Sequence, residues 1–237
     1  MTVMSATPIV PADLRRALKR GRAREALNHA AAEDADLATL FRLGADLRPN
    51  PRSLTRVARR VARLRGVLRV AVTADGRLIA VARNLRRVVT RVAAAEVFAE
   101  EALLYTRIGL VPDRRGTGFA LLRTSFCLHA LERLVERSAV PLDQPLLPGL
   151  DAEADRLLRH LGTGGVIEDA GDQFLPACAE GVWAGSLDQS ALESDWGLVP
   201  NGTTPVWLFS VRTFLGPDQM RPTLWAKWRR DPALSVA

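Results

Sequence analysis

The stretch Val67–Ala82, VLRVAVTADGRLIAVA, decides the fold class. Two runs rich in β-branched residues, Val67–Val72 and Arg77–Ala82, stand on either side of Asp75-Gly76. Because Asp-Gly readily adopts the positive φ angles of a tight hairpin turn, we expect two antiparallel strands here. The surrounding segments have helical spacing, so the sequence predicts a chain that mixes helices with antiparallel strands.

Helical patterns flank this hairpin in the first hundred residues. Leucines and alanines line one side of Asp13–Arg20 and of Arg22–Leu47, and we expect Gly21 to separate two helices. After the hairpin, residues 88–101, VVTRVAAAEVFAEE, return to helical spacing and predict a further helix.

The helix expected just before the hairpin combines an apolar side with a strongly basic one. Asn50-Pro51 is typical of a helix start, with asparagine as the N-cap and proline at the first helical position. Apolar residues recur at helical spacing at Leu54, Val57, Val61 and Leu64. Five arginines occupy the other side: Arg52, Arg56, Arg59, Arg60 and Arg63. One side should therefore be buried, and the other should form a cationic stripe.

The second half of the chain predicts helices followed by strands. Helices are expected at residues 126–137 and at Asp151–Leu161, where acidic residues at the start suit the positive end of a helix. Strands are expected in pieces over Gln173–Leu187 and then at Thr204–Leu215. We therefore predict an α+β fold in which helices pack on a mainly antiparallel sheet.

The distribution of charge divides the chain into two regions. Residues 1–100, a basic helical region with the hairpin 67–82, hold 20 Lys and Arg against 9 Asp and Glu, whereas residues 101–237, the α+β unit, hold 13 against 17. Arg48–Arg91 contains thirteen arginines and one acid, Asp75. Such a block either binds an anion or repels itself. We expect it to contact a polyanion such as RNA or DNA; the alternative is a solvated face whose arginine content reflects GC-rich coding.

A possible catalytic group lies on the helix predicted at residues 126–137. His129, Arg133 and Arg137 fall at i, i+4 and i+8, which places an imidazole and two guanidinium groups along one side. Histidine exchanges protons near neutral pH, and arginines hold phosphate and stabilise developing charge, so the set could cleave RNA without a metal. In the structural alternative, His129 lies at the edge of the core and Arg133 pairs with Glu132 or Glu136.

The string HALERLVERSAVPLD, residues 129–143, resembles the His-Ala-x-x-Arg-x-x-x-Arg helix of RelE-like and related toxin nucleases in the barnase, EndoU, colicin and RelE fold group. The resemblance extends over Ser125–Leu215 and implies a ribonuclease that needs no cofactor. The site residues it implies are His129 as acid and base, Arg133 and Arg137 as the phosphate clamp, and Thr213 or Ser210 as a hydroxyl donor from a late strand.

The loop VPDRRGTGFA, residues 111–120, supports a different interpretation. Its Arg-x-x-Gly-x-Ala pattern is similar to the pyrophosphate loop of GCN5-related N-acetyltransferases, in which backbone N–H groups at a helix N-terminus hold acetyl-CoA. That resemblance implies cofactor binding at Arg115, Gly116, Gly118 and Ala120. The two interpretations differ locally, because acetyl-CoA binding needs a helix from Gly118 and the nuclease order needs a strand at residues 119–125.

A third interpretation is a non-catalytic DNA or RNA binder. It combines the arginine helix with the basic aromatic segment Trp225–Arg230, WAKWRR. Arginines contact phosphates without reading sequence, and exposed indoles can stack on bases. Trp225 and Trp228, three residues apart, equally suit a helix side that caps the core.

Composition narrows the function classes further. No apolar run approaches the roughly 18 to 20 residues of a membrane span, and Met1–Val10 lacks the pattern of a secretory signal, so we expect a cytoplasmic protein without a membrane partner. Cys127 and Cys178 cannot make a zinc site alone, and His29 and His160 lack partners at ligand spacing, so no metal is expected. The leading hypothesis is a protein that acts on nucleic acid. Whether it is an enzyme, whether it has a protein partner and its oligomeric state stay open.

Overall fold

The computed structural model describes residues 11–92, 95–190 and 206–230. Within these ranges, six helices follow one another as α1 (Ala12–Ala32), α2 (Leu37–Ala45), α3 (Pro51–Val61), α4 (Leu128–Arg137), α5 (Leu146–Thr163) and α6 (Pro222–Arg229). The strands are β1 (Val67–Val72), β2 (Leu78–Val92), β3 (Ala95–Pro112), β4 (Thr117–Cys127), β5 (Ile167–Asp169), β6 (Asp172–Pro176), β7 (Val182–Ser190) and β8 (Val206–Leu215). None of the described helices combines the length and apolar character needed to cross a membrane.

The strands form a single sheet in the order β1-β2-β3-β4-β8-β7-β6-β5. Neighbouring strands run antiparallel except at the centre, where β4 and β8 are parallel over Leu122–Phe126 and Trp207–Val211. The prediction of an α+β fold with a mainly antiparallel sheet is confirmed.

One face of the sheet is covered by α1, α4 and α5, and we call it the α4 face. Side chains alternate between the two faces of a sheet along each strand. Val81, Tyr105, Phe126 and Phe209 point to this side and pack with leucines and alanines of the three helices. This is the larger of the cores on the two faces, and Trp183 and Phe214 extend it across β7 and β8.

The opposite face, called the α3 face, carries α2 and α3 at one end and α6 at the other. Ala80 and Ile108 lie under α2 and α3, whereas Phe174 and Val182 lie under α6. The strand register places all four side chains on the same side of the sheet. The two groups of helices therefore share one face, with the middle strands between them.

The predicted hairpin at residues 67–82 is confirmed. Val72 lies opposite Leu78 in an antiparallel pair. The backbone N–H of Thr73 donates to the carbonyl of Arg77 at 2.9 Å, and Gly76 adopts a φ of +78°, which glycine tolerates without steric cost.

The helix predicted at residues 88–101 is wrong. Residues 78–92 and 95–112 form the strands β2 and β3, which pair along their whole length, for example Val88 with Glu100. Val88, Val89, Thr90 and Val92 are β-branched and favour strands. In this segment the pairing of two long strands overrides the helical spacing of the alanines.

The two helices expected from Asp13 to Leu47 are also divided differently. α1 continues through Gly21, whose surroundings are open. A glycine inside a helix costs only about 1 kcal/mol relative to alanine, which is too little to end the helix. The break comes instead after Ala32, and Asp36 caps α2 by accepting a hydrogen bond from the backbone N–H of Thr39 at 2.8 Å.

The second helix of the C-terminal half begins earlier than expected, at Leu146 rather than Asp151. Asp151 and Glu153 therefore lie inside α5, away from the positive end of its dipole at the N-terminus. Glu153 is buried and accepts hydrogen bonds from the indole N–H of Trp183 at 2.6 Å and from the backbone N–H of Cys178 at 3.1 Å. Glu153 is a core group and Asp151 is half-buried, because the helix starts five residues before Asp151.

The boundary expected at residue 100 falls within β3. Strands from both sides of that position belong to the same sheet, and α1 packs on α4 and α5. The two regions that differ in charge are therefore parts of one packed unit.

A buried ion-pair cluster joins these parts. Arg83 of β2, only 1% exposed, pairs with Glu33 at the end of α1 at 2.9 Å and closely with Asp151 of α5. The hydroxyl of Tyr105 donates to Asp151 at 2.9 Å. Burial raises the pKa of the Asp151 carboxyl, and the hydrogen bonds from Arg83 and Tyr105 oppose that rise.

We predict that Asp151→Ala lowers the free energy of unfolding by about 3 kcal/mol, because it leaves the buried guanidinium of Arg83 with Glu33 alone. Urea unfolding followed by circular dichroism measures the loss. Asp13→Ala is the control, since it removes an exposed pair with Arg16 and should cost less than about 1 kcal/mol. Equal losses in the two variants would contradict the prediction.

Candidate nucleic-acid interface

α3 begins where the sequence predicts. Asn50 is extended, and its side chain accepts a hydrogen bond from the backbone N–H of Ser53 at 2.9 Å, while Pro51 occupies the first helical position. The helix buries Ser53, Leu54, Val57 and Val61. These contacts fix its apolar side on the sheet and leave the opposite side to solvent.

Four arginines project from the solvent side of α3 and a fifth follows in the turn just after it; we call this surface the arginine face. They are Arg52, Arg56, Arg59, Arg60 and Arg63, and all are exposed. With Pro51 and Thr55 they line a shallow groove of about 520 Å³. In the described part of the chain, none of the five takes part in an ion pair. The predicted cationic stripe is therefore present as a surface of uncompensated positive charge.

The arginine face is electrostatically unfavourable in the free protein. Arg56 has Arg52 and Arg60 at i−4 and i+4, and Arg59 at i+3. Each such like-charge pair costs about 0.2 to 0.5 kcal/mol on a helix surface. A bound polyanion would remove this repulsion, because its phosphates would lie between the guanidinium groups.

Other arginines of the Arg48–Arg91 block have structural partners. Arg69 pairs with Asp155 of α5 at 2.9 Å, and Arg77 pairs with Asp75 in the hairpin turn at 2.6 Å. Arg83 is buried in the cluster described above. Arg69 and Arg83 thus connect β1 and β2 to other elements, in contrast to the arginines of the arginine face.

The predicted catalytic helix is α4, on the opposite face of the sheet. His129 is exposed near its start, and Nε of Arg133 donates to Nε2 of His129 at 3.3 Å. Arg133 also pairs closely with Glu136, which pairs in turn with Lys19 of α1 at 3.0 Å. The helical spacing brings His129 and Arg133 into contact, as predicted. Arg133 also takes part, through Glu136, in an ion-pair network that links α4 to α1.

Arg137 is engaged with the sheet. Its guanidinium donates to the carbonyl of Phe214 on β8 at 2.8 Å. Burial lowers the pKa of Arg137, and repulsion from Arg133 adds to that effect. Arg137 therefore anchors α4 to β8 as part of the packing.

Thr213 lies on the other side of the sheet from α4. Its partner across the ladder is Ala184, which packs with the α6 core on the α3 face. A bulge at Arg212 shifts the alternation of β8, so that Phe214 faces α4 and Thr213 faces away. The structure does not bring Thr213 together with His129, and Ser210 also lies on the α3 face, opposite Ser186.

The loop predicted to hold acetyl-CoA is the hairpin turn between β3 and β4. The side chain of Asp113 accepts hydrogen bonds from the backbone N–H groups of Arg115 and Gly116, at 2.5 and 2.8 Å. Gly118 and Ala120 belong to β4, and residues 119–125 are strand. Because a strand follows this loop, it has no helix N-terminus, and two of its N–H groups already have an acceptor.

The aromatic pair of the C-terminal segment is divided between core and surface. Trp228 is 3% exposed and packs with Leu224 on the sheet, whereas Trp225 is 45% exposed. The guanidinium carbon of Arg229 lies 5.6 Å from the centre of the Trp225 ring. Only Trp228 caps the core, and Trp225 stays on the surface of α6.

Two features that affect the packing of the helices and the position of Thr213 were not predicted from the sequence. The first is the ion-pair cluster around buried Arg83, whose position between Val81 and Leu85 on a strand places a charge in the core and so requires carboxylate partners. The second is the bulge at Arg212, which lies opposite Gly185 of β7, where the close approach of the Ser210 carbonyl leaves no room for a side chain. The first joins α1 and α5 to β2, and the second turns Thr213 away from His129.

Comparison with known proteins gives no indication of function. The chain matches no protein-family model, no curated protein and no solved structure. The resemblances of the α4 string and of the β3–β4 loop therefore stay predictions.

We predict that Arg56→Gln raises the free energy of unfolding by roughly 1 kcal/mol at low ionic strength, because it removes three like-charge neighbours and glutamine is as good a helix former. Urea titrations at two salt concentrations measure it, and the gain should shrink as salt screens the repulsion. The control Arg114→Gln, in the β3–β4 loop, should change stability by less than about 0.5 kcal/mol. An unchanged or lower stability of Arg56→Gln at low salt would refute the repulsion.

Proposed function

We propose that the protein binds nucleic acid through the phosphate backbone, by means of the arginine face of α3. The observation that carries the proposal is the exposure of five guanidinium groups on one side of a helix, without an ion-pair partner in the described residues. A surface that costs stability in the free protein and is held rigidly by a capped, half-buried helix suits an anionic partner.

The dimensions favour a polymer over a small anion. α3 is eleven residues long, or roughly 16 Å at 1.5 Å per residue, and Arg63 of the arginine face lies just beyond its end. A nucleic-acid strand presents a phosphate about every 3.4 Å along a duplex axis, so several phosphates can be contacted at once. The groove is shallow and has no enclosing walls. It therefore suits a continuous backbone better than a single phosphate-containing molecule.

The wider charge distribution supports the same assignment. Residues 1–100 carry eleven more basic than acidic side chains, whereas residues 101–237 carry four more acidic than basic ones. Such asymmetry steers a polyanion toward one part of the surface and speeds association at low salt. Arginine contacts to phosphates fix position without reading bases, so binding should depend little on sequence.

A ribonuclease centred on His129 is the second candidate, favoured by the contact between His129 and Arg133. Its supposed clamp, Arg137, is hydrogen-bonded to β8, and Thr213 faces the other side of the sheet. The geometry supports binding better than cleavage. Incubation with end-labelled RNA separates the two: the binding proposal expects intact RNA from both the wild type and His129→Ala, whereas cleavage lost in His129→Ala would favour the second candidate.

The decisive experiment is a salt titration of binding for the triple variant Arg56→Ala, Arg59→Ala, Arg63→Ala. Because each phosphate contact contributes about 0.7 to 0.9 to the slope of log K against log salt, we expect the slope to fall by about two to three. Fluorescence anisotropy with a labelled oligonucleotide at several salt concentrations gives both affinity and slope.

The matched control removes three exposed arginines on the α4 face: Arg16, Arg20 and Arg159. Both variants have the same net charge, so a loss confined to the α3 variant assigns binding to the arginine face. The proposal is wrong if the wild type does not bind nucleic acid, or if the two variants lose the same slope.

A further inference from the structure

The helix α6 places an exposed aromatic side chain on the same face of the sheet as the arginine face. Leu224 and Trp228 hold α6 against Phe174 and Val182, on the α3 face. Trp225, on the outer side of α6, is 45% exposed. Part of its ring is therefore accessible to a ligand.

Arg229 turns this indole into a combined cationic and aromatic surface. Its guanidinium carbon lies 5.6 Å from the Trp225 ring centre, within the range of a cation–π contact. The other lysine or arginine of α6, Lys227, pairs with Asp169 at 3.1 Å, as does Arg221, just before the helix, at 3.2 Å. Trp225 and Arg229 are thus the part of α6 that is free to contact a partner.

Hydrogen-bonding side chains lie on the α3 face between α3 and α6. Ser125 of β4 is in register with Ser210 of β8, and Ser210 with Ser186 of β7. All three are half-buried. Arg212, which is exposed, donates to the hydroxyl of Ser186 at 3.2 Å. Ser186 in turn donates to Asp188 at 2.6 Å, and Arg123 of β4, on the same face, is fully buried. The group open to a ligand in this part of the face is therefore the exposed guanidinium of Arg212.

The separation of the two helices sets the size of a ligand that reaches both. α3 packs over β1 and β2, and α6 over β5 to β7. Five strand spacings separate β2 from β6, or about 24 Å at 4.8 Å per spacing. An oligonucleotide of several residues spans this distance, in the range of about 4 to 16 nucleotides bound by other single-strand binding domains.

We propose that the ligand is single-stranded nucleic acid, whose phosphates contact the arginine face and one of whose bases stacks on Trp225. A duplex keeps its base faces stacked on each other, so an exposed indole cannot use them, whereas a single strand offers them freely. This inference rests on the proposed function, because the arginine face supplies the phosphate contacts.

The test measures binding of roughly 12-nucleotide single-stranded RNA and DNA, a length within the range of single-strand sites, and of the duplex of the same sequence. Trp225→Ala should weaken binding of the single strands roughly 5- to 100-fold and leave duplex binding unchanged. Trp225→Phe should retain most of the affinity, since phenylalanine also stacks.

Trp207→Ala is the matched control. Trp207 is 43% exposed, but it lies beside Leu122, which packs on the α4 face, so its loss should not change binding. The inference fails if Trp225→Ala binds single strands as the wild type does, or if it weakens duplex binding equally. Its failure is distinguishable from failure of the proposed function: in the first case the triple α3 variant still loses more of the salt slope than its charge-matched control, and in the second it does not.

Discussion

The buried guanidinium of Arg83 is the constraint on which the arrangement of the two regions depends. A charge with 1% exposure is tolerated only where carboxylates meet it, and these come from Glu33 at the end of α1 and Asp151 inside α5. Three elements far apart in the chain must therefore converge at one point on the α4 face. The hydroxyl of Tyr105, donating to Asp151, adds β3 to the same point. The basic first region and the acidic second region are joined by a pair of opposite charges that neither could bury alone.

The local parts of this fold could be predicted from the sequence, whereas its long-range parts could not. Asp75-Gly76 specifies its own turn, and Asn50-Pro51 specifies the start of α3, because each signal acts within four residues. Residues 88–101 satisfy helical spacing and strand propensity together, and the choice depends on a partner strand. The face to which a strand residue points depends on register, and the bulge at Arg212 reverses it for Thr213. For the candidate site, helical periodicity predicted the arginine stripe. Its position relative to His129 depends on which face of the sheet each helix covers, and that could not be predicted from local sequence.

The sheet separates the exposed arginines of α3 from His129, because the two lie on opposite faces. On the α4 face, Arg133 and Arg137 connect α4 to its neighbours through Glu136 and the carbonyl of Phe214. On the α3 face, the arginines of α3 have solvent around them and Trp225 lies at the far end. Arginine therefore has two different roles in this protein. Arginines near carboxylates and carbonyls stabilise the packing, and those on α3 form the surface proposed to bind phosphates.

The parallel pairing of β4 with β8 also bears on how the molecule folds. Every other pair of neighbouring strands joins consecutive segments, whereas this pair joins residues some eighty-five positions apart, such as Ser125 and Ser210. Closing so long a loop carries a large entropic cost, so the central pair is expected to form late, after hairpins on either side have assembled. The arginine face belongs to the first half of the sheet and Trp225 to the second. A newly made chain would thus carry a basic helix early and acquire its aromatic counterpart on the same surface only when the last strand enters the centre of the sheet.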